Sequence, residues 1–106
     1  MHSKATEHDS AVIDMLREDP GFAQVYLQTA LEDIYEDGGV GAFLTALRHV
    51  VNARGGIGEI AAKSGLSREQ LYRTLSDKGN PTLKTLTAIT RAADVRLFAK
   101  AAGQAS

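Results

Sequence analysis

The chain has 106 residues, of which 43% are hydrophobic, and this length and composition predict a single domain with a buried core. It contains no cysteine, which excludes disulfides and thiolate zinc sites, and no segment approaches the roughly 18 apolar residues of a membrane span. The polar start has no apolar core like that of a signal peptide, so we expect a cytoplasmic protein with no membrane partner.

The first forty residues predict two helices. Residues 1–10 are polar and are expected to fray, and a short helix follows over residues 10–18 with Val12, Ile13 and Leu16 on one face. Asp19 and Pro20 are typical of a cap followed by proline in the first turn of a second helix, which we expect to run to about residue 36. The apolar set of this second helix is Phe22, Leu27, Leu31, Ile34 and Tyr35.

A third helix is predicted over residues 40–53. Phe43, Leu47, Val50 and Val51 follow a spacing of i, i+4, i+7 and i+8, which is typical of a core-facing helix. His49 is expected on the polar side of this helix. No second ligand lies three or four residues from it, so the sequence predicts no metal site.

The stretch from Ile57 to Leu75, IGEIAAKSGLSREQLYRTL, predicts two short helices joined by a tight turn. Ala61 falls where two helices would cross closely, and Gly65 falls where the backbone needs the left-handed conformation. Ser67 and Gln70 have the spacing of a capping box at the start of the second helix. Its inner face is formed by Leu71 and Leu75, and its outer face by Arg68, Glu69, Gln70, Tyr72 and Arg73. A helix of this kind can enter the major groove of DNA, although an ordinary helical hairpin would give a similar pattern.

The last third of the chain predicts a loop, a helix and a short strand. Residues 76–81 contain the turn-forming Gly79-Asn80-Pro81, and Thr82 can cap a helix over residues 83–93. The expected inner face of that helix is Leu83, Leu86, Ile89 and Ala93. Residues 95–101 then alternate in polarity, which predicts a strand that pairs with the same strand of a second copy. A frayed tail or an extension of the helix is the alternative.

Charge is distributed unevenly along the chain. Residues 1–40 hold two basic and nine acidic residues, a net charge of −7, whereas residues 41–106 hold ten basic and four acidic residues, a net charge of +6. Such a molecule can present its basic half to phosphates and its acidic half to another partner. The alternative is that each half is an ordinary solvated surface.

Residues 57–95 resemble the phage-repressor (Cro-like, XRE) helix-turn-helix family. The longer run from Phe43 to Phe98, with ARGG, LYRTLSDKGNPTL and DVRLF, resembles a narrower group within it, the addiction-module antidote proteins (antitoxins) encoded beside small RelE/ParE-like toxins. The resemblance implies a homodimer that binds a cognate toxin and represses the operon they share. One departure is Gly56-Ile57-Gly58, which stands where many phage repressors carry a phosphate-holding glutamine.

Together these observations predict an all-α bundle of five or six helices with a phage-repressor-like helix-turn-helix and a short C-terminal β-strand used in dimerisation. We expect an acidic N-terminal helical extension over residues 1–38 and a helix-turn-helix DNA-binding domain over residues 39–95. The C-terminal strand or tail is expected over residues 95–101.

Each exposed residue of the reading helix has an expected role at double-stranded operator DNA. Arg68 and Arg73 are the candidates for guanine, Glu69 for cytosine or for orienting an arginine, and Gln70 for adenine. Tyr72 is expected at the DNA backbone or a thymine methyl group. The candidates for phosphate contacts are Ser67, Lys63, Lys78 and Lys84. Plain solubility is the alternative role for each lysine.

The sequence does not favour an enzyme or a cofactor. Gly56, Gly58 and Ala61 imitate a dinucleotide-binding pattern, but the segment before them has a helical period rather than that of a strand. The acidic pairs Glu32-Asp33 and Glu36-Asp37 are more typical of a solvated helix face than of a paired-carboxylate catalyst, and a basic partner surface could use this face. The acidic first forty residues are the expected toxin surface, because the toxins that the resemblance implies are usually basic. Two alternatives to a DNA-binding antitoxin remain: a free-standing XRE-type regulator without a toxin, and a helical protein-interaction module that does not read DNA.

Overall fold

The computed structural model describes the backbone of residues 3–98 and the side chains of residues 8–98. Every regular element in this range is an α-helix, which confirms the predicted all-α class and a helix number within the expected range. None of the described helices is both long and apolar enough to cross a membrane. The helices are α1 (Ser3–Glu18), α2 (Pro20–Glu32), α3 (Gly39–Ala53), α4 (Ile57–Ser64), α5 (Arg68–Thr74) and α6 (Leu83–Ala92).

Two helix ends differ from the predictions. α1 begins at Ser3 rather than at residue 10, because its polar first turns contain good helix formers such as Lys4, Ala5 and Glu7. α2 ends at Glu32 rather than near residue 36, because the chain reverses there in a tight turn. A Cβ atom at Gly39 would overlap the backbone carbonyl groups of Asp33 and Ile34, so this close approach requires glycine.

The core is centred on α3, which packs against α1 and α2 and also contacts α4. The predicted stripe of Phe43, Leu47, Val50 and Val51 is buried, and this confirms the helical period of the third helix. Tyr35 was expected in the apolar set of α2, but its side chain is 96% exposed because the helix has already ended. The largest fully buried side chains are Leu16, Leu27, Leu44, Leu47, Val50, Val51, Ile60, Leu71, Leu75 and Ile89.

His49 is buried, so its expected place on the polar side of the third helix is wrong. Its Nε2 lies 2.8 Å from a carboxylate oxygen of Asp9 on α1, and its Nδ1 lies 2.7 Å from the hydroxyl of Tyr26 on α2. A carboxylate only accepts, so Nε2 donates to Asp9. In the tautomer that carries its single proton on Nε2, Nδ1 accepts from the hydroxyl of Tyr26. This chain of hydrogen bonds joins the first three helices and satisfies the buried imidazole.

Replacing Tyr26 by phenylalanine is expected to weaken the dependence of stability on pH above about 10. Burial, and after it the negative charge of Asp9, raises the pKa of Tyr26. The folded state therefore keeps the Tyr26 proton at pH values where the unfolded chain has lost it. The stability that Tyr26 contributes is fully present below its unfolded pKa and is lost as pH rises through its folded pKa. Urea unfolding of both proteins between pH 9 and 11.5 measures this. Identical slopes of stability against pH would contradict the prediction.

The C-terminal part combines confirmed and wrong predictions. Thr82 caps α6 as predicted, since its hydroxyl oxygen accepts the backbone N–H of Thr85 at 3.1 Å. Leu83, expected on the inner face, is 65% exposed because it is the first residue of α6 and points away from the core. Ile89 and Ala93 are buried as expected, and Leu86 packs against the core.

Residues 95–98 do not form the predicted strand, and residues 99–101 of that prediction lie outside the described part of the chain. This segment is instead bonded to a side chain of α2. The amide of Gln24 accepts the backbone N–H of Arg96 at 2.8 Å and donates to the carbonyl of the same residue at 3.0 Å. The backbone N–H and carbonyl of Arg96 are thus both paired within the chain.

Candidate nucleic-acid interface

The connection between α4 and α5 has the tight geometry that its sequence predicts. Gly65 caps the C-terminal end of α4, and its φ of 78° and ψ of 18° lie in the left-handed region. The backbone N–H of Leu66 then donates to the carbonyl of Ala61 at 2.9 Å, which closes the end of the helix. Only residues 65–67 separate the two helices.

Ser67 begins α5 with the predicted capping box. Its hydroxyl oxygen accepts the backbone N–H of Gln70 at 3.0 Å, and the side-chain oxygen of Gln70 accepts the backbone N–H of Ser67 at 2.8 Å. The capping role of Gln70 therefore competes with adenine recognition, because a bidentate adenine contact needs that same oxygen. The hydroxyl proton of Ser67 is not used by the cap and can be donated to a phosphate oxygen.

Helix α5 has a buried face and an exposed face. Leu71 and Leu75 are fully buried, as is Ala61 on α4, so the small residue does lie in the packed part of this pair of helices. The structure brings all five predicted base-reading residues to the exposed surface of one seven-residue helix: Arg68, Glu69, Gln70, Tyr72 and Arg73. Among the described residues, neither Arg68 nor Arg73 takes part in an ion pair.

The predicted phosphate contacts lie in two places. Lys63 and Lys84 line one groove of about 370 Å³ between α4 and α6, whereas Lys78 is exposed on the loop that follows α5. Lys63 forms an ion pair with Glu59 at 3.0 Å, but both side chains are about half exposed. An exposed pair of this kind contributes roughly 0.3–0.5 kcal/mol, so Lys63 can exchange Glu59 for a phosphate at little cost.

Arg91 also lines this groove, and sequence reasoning missed it. Lys84 and Arg91 are seven residues apart on α6, a spacing that places two side chains on one face of a helix. That spacing could have identified Arg91 from the sequence as a neighbour of Lys84. The groove therefore holds three cationic side chains rather than two.

Replacing Ser67 by alanine is expected to lower the free energy of unfolding by about 1 kcal/mol, because the N–H of Gln70 loses its acceptor. For a domain of this length that corresponds to a fall of about 4–8 °C in Tm. Thermal unfolding followed by circular dichroism measures the change. Ser67→Asp is the control, since aspartate restores the cap and should keep the wild-type Tm. An equal loss in both variants would contradict the capping role.

The chain is similar to one known protein family and to one curated protein. A family model described as "probable addiction module antidote protein" matches residues 8–101. A protein of Haemophilus influenzae, described as uncharacterized, is 34% identical over 70 residues, which cover 66% of this chain and 71% of that protein. No solved structure matches the chain significantly. The region that the family model matches includes all of α2 to α6.

Proposed function

The chain belongs to the family of probable addiction module antidote proteins, and from this premise we propose that it is a sequence-specific DNA-binding repressor. In this proposal it is the antitoxin of a type II toxin–antitoxin module and represses the operon that encodes both proteins. It acts by binding rather than by catalysis, in the cytoplasm, as a member of the phage-repressor (XRE) class. Residues 39–95 form the DNA-binding domain, and residues 1–38 form an acidic helical extension.

The observation that carries the proposal is the exposed face of α5. It presents two arginines that form no ion pair within the described chain, on a short helix anchored by Leu71 and Leu75. A rigid helix with unpaired arginines fits the major groove, where arginine binds O6 and N7 of guanine in a bidentate manner. Glu69 and Tyr72 lie on the same helix and add contacts to neighbouring bases.

Contacts to the DNA backbone hold this helix in register. Ser67 is proposed to donate its hydroxyl proton to a phosphate, next to the first bases that α5 reads. Lys78 lies on the loop beyond the other end of α5, and Lys63 and Lys84 lie in the α4–α6 groove. Because these charges flank the helix rather than occupy it, they contribute affinity and salt dependence more than sequence preference.

A homodimer is proposed because one seven-residue helix contacts too few base pairs to select an operator. Two copies related by a two-fold axis read half-sites one helical turn apart, about 34–36 Å. The segment that follows α6, with its alternating polarity, is the proposed dimer contact. The exposed side chain of Phe98 adds apolar surface there.

The proposed toxin surface is the connection between α2 and α3. Four acidic side chains and a nearly fully exposed tyrosine lie at the end of α2 and on the turn after it, and a small basic RelE/ParE-like toxin would complement their charge. The residues are Glu32, Asp33, Tyr35, Glu36 and Asp37.

The proposal is tested by measuring affinity for the DNA upstream of the chain's own gene and for random DNA of equal length, across a series of salt concentrations. We expect a preference of at least about a thousandfold and a steep loss of affinity with salt. Equal affinities for the two DNAs would refute sequence-specific binding and favour a protein-interaction module.

The toxin half of the proposal has a separate test. The product of the neighbouring gene is co-expressed with this chain, and complex formation is followed by size-exclusion chromatography. Replacing Glu36 and Asp37 by lysine should weaken that complex while operator binding is kept. A neighbouring gene whose product neither binds the chain nor inhibits growth would favour a free-standing regulator.

A further inference from the structure

The guanidinium group of Arg68 lies against the backbone of Gly58 on α4. A Cβ atom built on Gly58 would lie 3.2 Å from Nε of Arg68 and 3.4 Å from both Cζ and Nη2. Three atoms of the planar group are thus at nearly the same distance, so its flat side faces the glycine. Gly58 is the second residue of α4, and nothing but its hydrogen atoms separates this backbone from the arginine.

This close approach limits the positions open to the guanidinium group, because α4 already fills the space beneath it. Arg68 is exposed, and its side chain forms no hydrogen bond or ion pair with another described residue. A free arginine side chain has many rotamers, whereas a bidentate contact to guanine needs the guanidinium edge in one plane. A surface beneath the group that favoured this plane would lower the cost of ordering the side chain on DNA.

We infer that Gly58 is a positioning residue for Arg68, because the missing side chain leaves a flat surface on α4 that holds the guanidinium group in orientation for a base edge. The inference rests on the proposed DNA-reading function of Arg68. It gives the glycine a role in sequence preference without any contact to DNA. It also makes α4 a part of the reading surface.

Gly58→Ala tests the inference. Arg68 would have to move by a few tenths of an ångström to accept the new Cβ, and it can do so because it is the end of a flexible side chain. Alanine favours the helix over glycine, so Tm should stay the same or rise slightly. We expect about a tenfold loss of discrimination between the operator and a site with one guanine replaced.

The matched control is Gly21→Ala. Gly21 is the second residue of α2, as Gly58 is of α4, and a Cβ there would make an ordinary contact of 3.6 Å with a carboxylate oxygen of Asp19. Its helix-propensity effect is the same, but no arginine lies above it. Discrimination should stay at the wild-type value. An equal loss in Gly21→Ala and Gly58→Ala would overturn the inference.

A double-mutant cycle separates positioning from direct effects of the alanine on DNA. In the Arg68→Ala background, Gly58→Ala should change discrimination by less than about twofold, because the residue it positions is gone. A further tenfold loss in that background would overturn the inference.

The third measurement does not depend on DNA. The heteronuclear NOE of the Arg68 Nε–Hε group in the free protein should be high in the wild type and in Gly21→Ala, and lower in Gly58→Ala. An unchanged NOE in Gly58→Ala overturns the inference, whatever the binding data. If the NOE falls as expected but the wild type binds operator and random DNA equally, the contact stands and the proposed function fails, and the base-reading role of Gly58 fails with it.

Discussion

Replacing Arg68 and Arg73 together by alanine is expected to lower the preference for operator over random DNA by about thirtyfold or more. Each bidentate arginine–guanine pair contributes about 1–3 kcal/mol of discrimination, so losing two removes about 2–6 kcal/mol. Both side chains are exposed on α5 and form no ion pair within the described chain. Stability should therefore change by less than about 0.5 kcal/mol. Fluorescence anisotropy with the two DNAs measures the preference.

The control for this prediction removes the same charge elsewhere. Lys84→Ala with Arg91→Ala deletes two positive charges from the groove between α4 and α6, outside α5. That variant should bind both DNAs somewhat more weakly and keep its preference. If both double variants lose preference equally, the arginines of α5 act only through charge. If instead the α5 variant keeps its preference and its salt slope falls by about 2, Arg68 and Arg73 contact phosphates.

The part of the candidate site that the sequence predicted depends on local interactions. Gly65 closes α4 in the left-handed conformation, and Ser67 and Gln70 exchange hydrogen bonds across three residues. Each of these features is determined by neighbours within one helical turn. The turn between α4 and α5 and the exposed face of α5 follow from the same short-range signals, so a single sequence was sufficient to place them.

The features that the sequence missed depend on residues far apart in the chain. His49 is buried because Asp9 and Tyr26, 40 and 23 residues away, supply its hydrogen bonds. The segment at Arg96 is held by Gln24, at a separation of 72 residues. Helical periodicity reports which face of one helix is apolar, but it does not report which polar side chains meet when helices pack.

The contact between Gly58 and Arg68 belongs to this second class, although only ten residues separate them. Gly58 belongs to the glycine-containing stretch that stands where many phage repressors carry a phosphate-holding glutamine. No local rule explained why glycine is present there. The reason lies in how closely α4 and α5 approach. Small residues at Gly58 and Ala61 both allow that approach, one beneath an exposed arginine and one in the core.

Leu71→Ala is expected to have the largest effect on stability around the candidate interface, a loss of about 2–5 kcal/mol in the free energy of unfolding. Leu71 is fully buried, and it is the one buried residue within the span of α5. A helix of seven residues has little stability of its own, so its position depends on this anchor. For a domain of this length we expect Tm to fall by roughly 10–30 °C, measured by circular dichroism at 222 nm.

The adjacent residue provides the matched control. Tyr72 is 62% exposed, so Tyr72→Ala should change the free energy of unfolding by less than about 0.5 kcal/mol while weakening operator binding. Leu71→Ala should weaken operator binding too, but only because α5 loses its fixed position. Operator DNA binds the folded state, so adding it should raise the Tm of the Leu71→Ala protein. A Leu71→Ala protein with wild-type Tm would mean that α5 is held by contacts other than its buried leucine. A Tyr72→Ala protein with wild-type affinity would remove Tyr72 from the proposed interface.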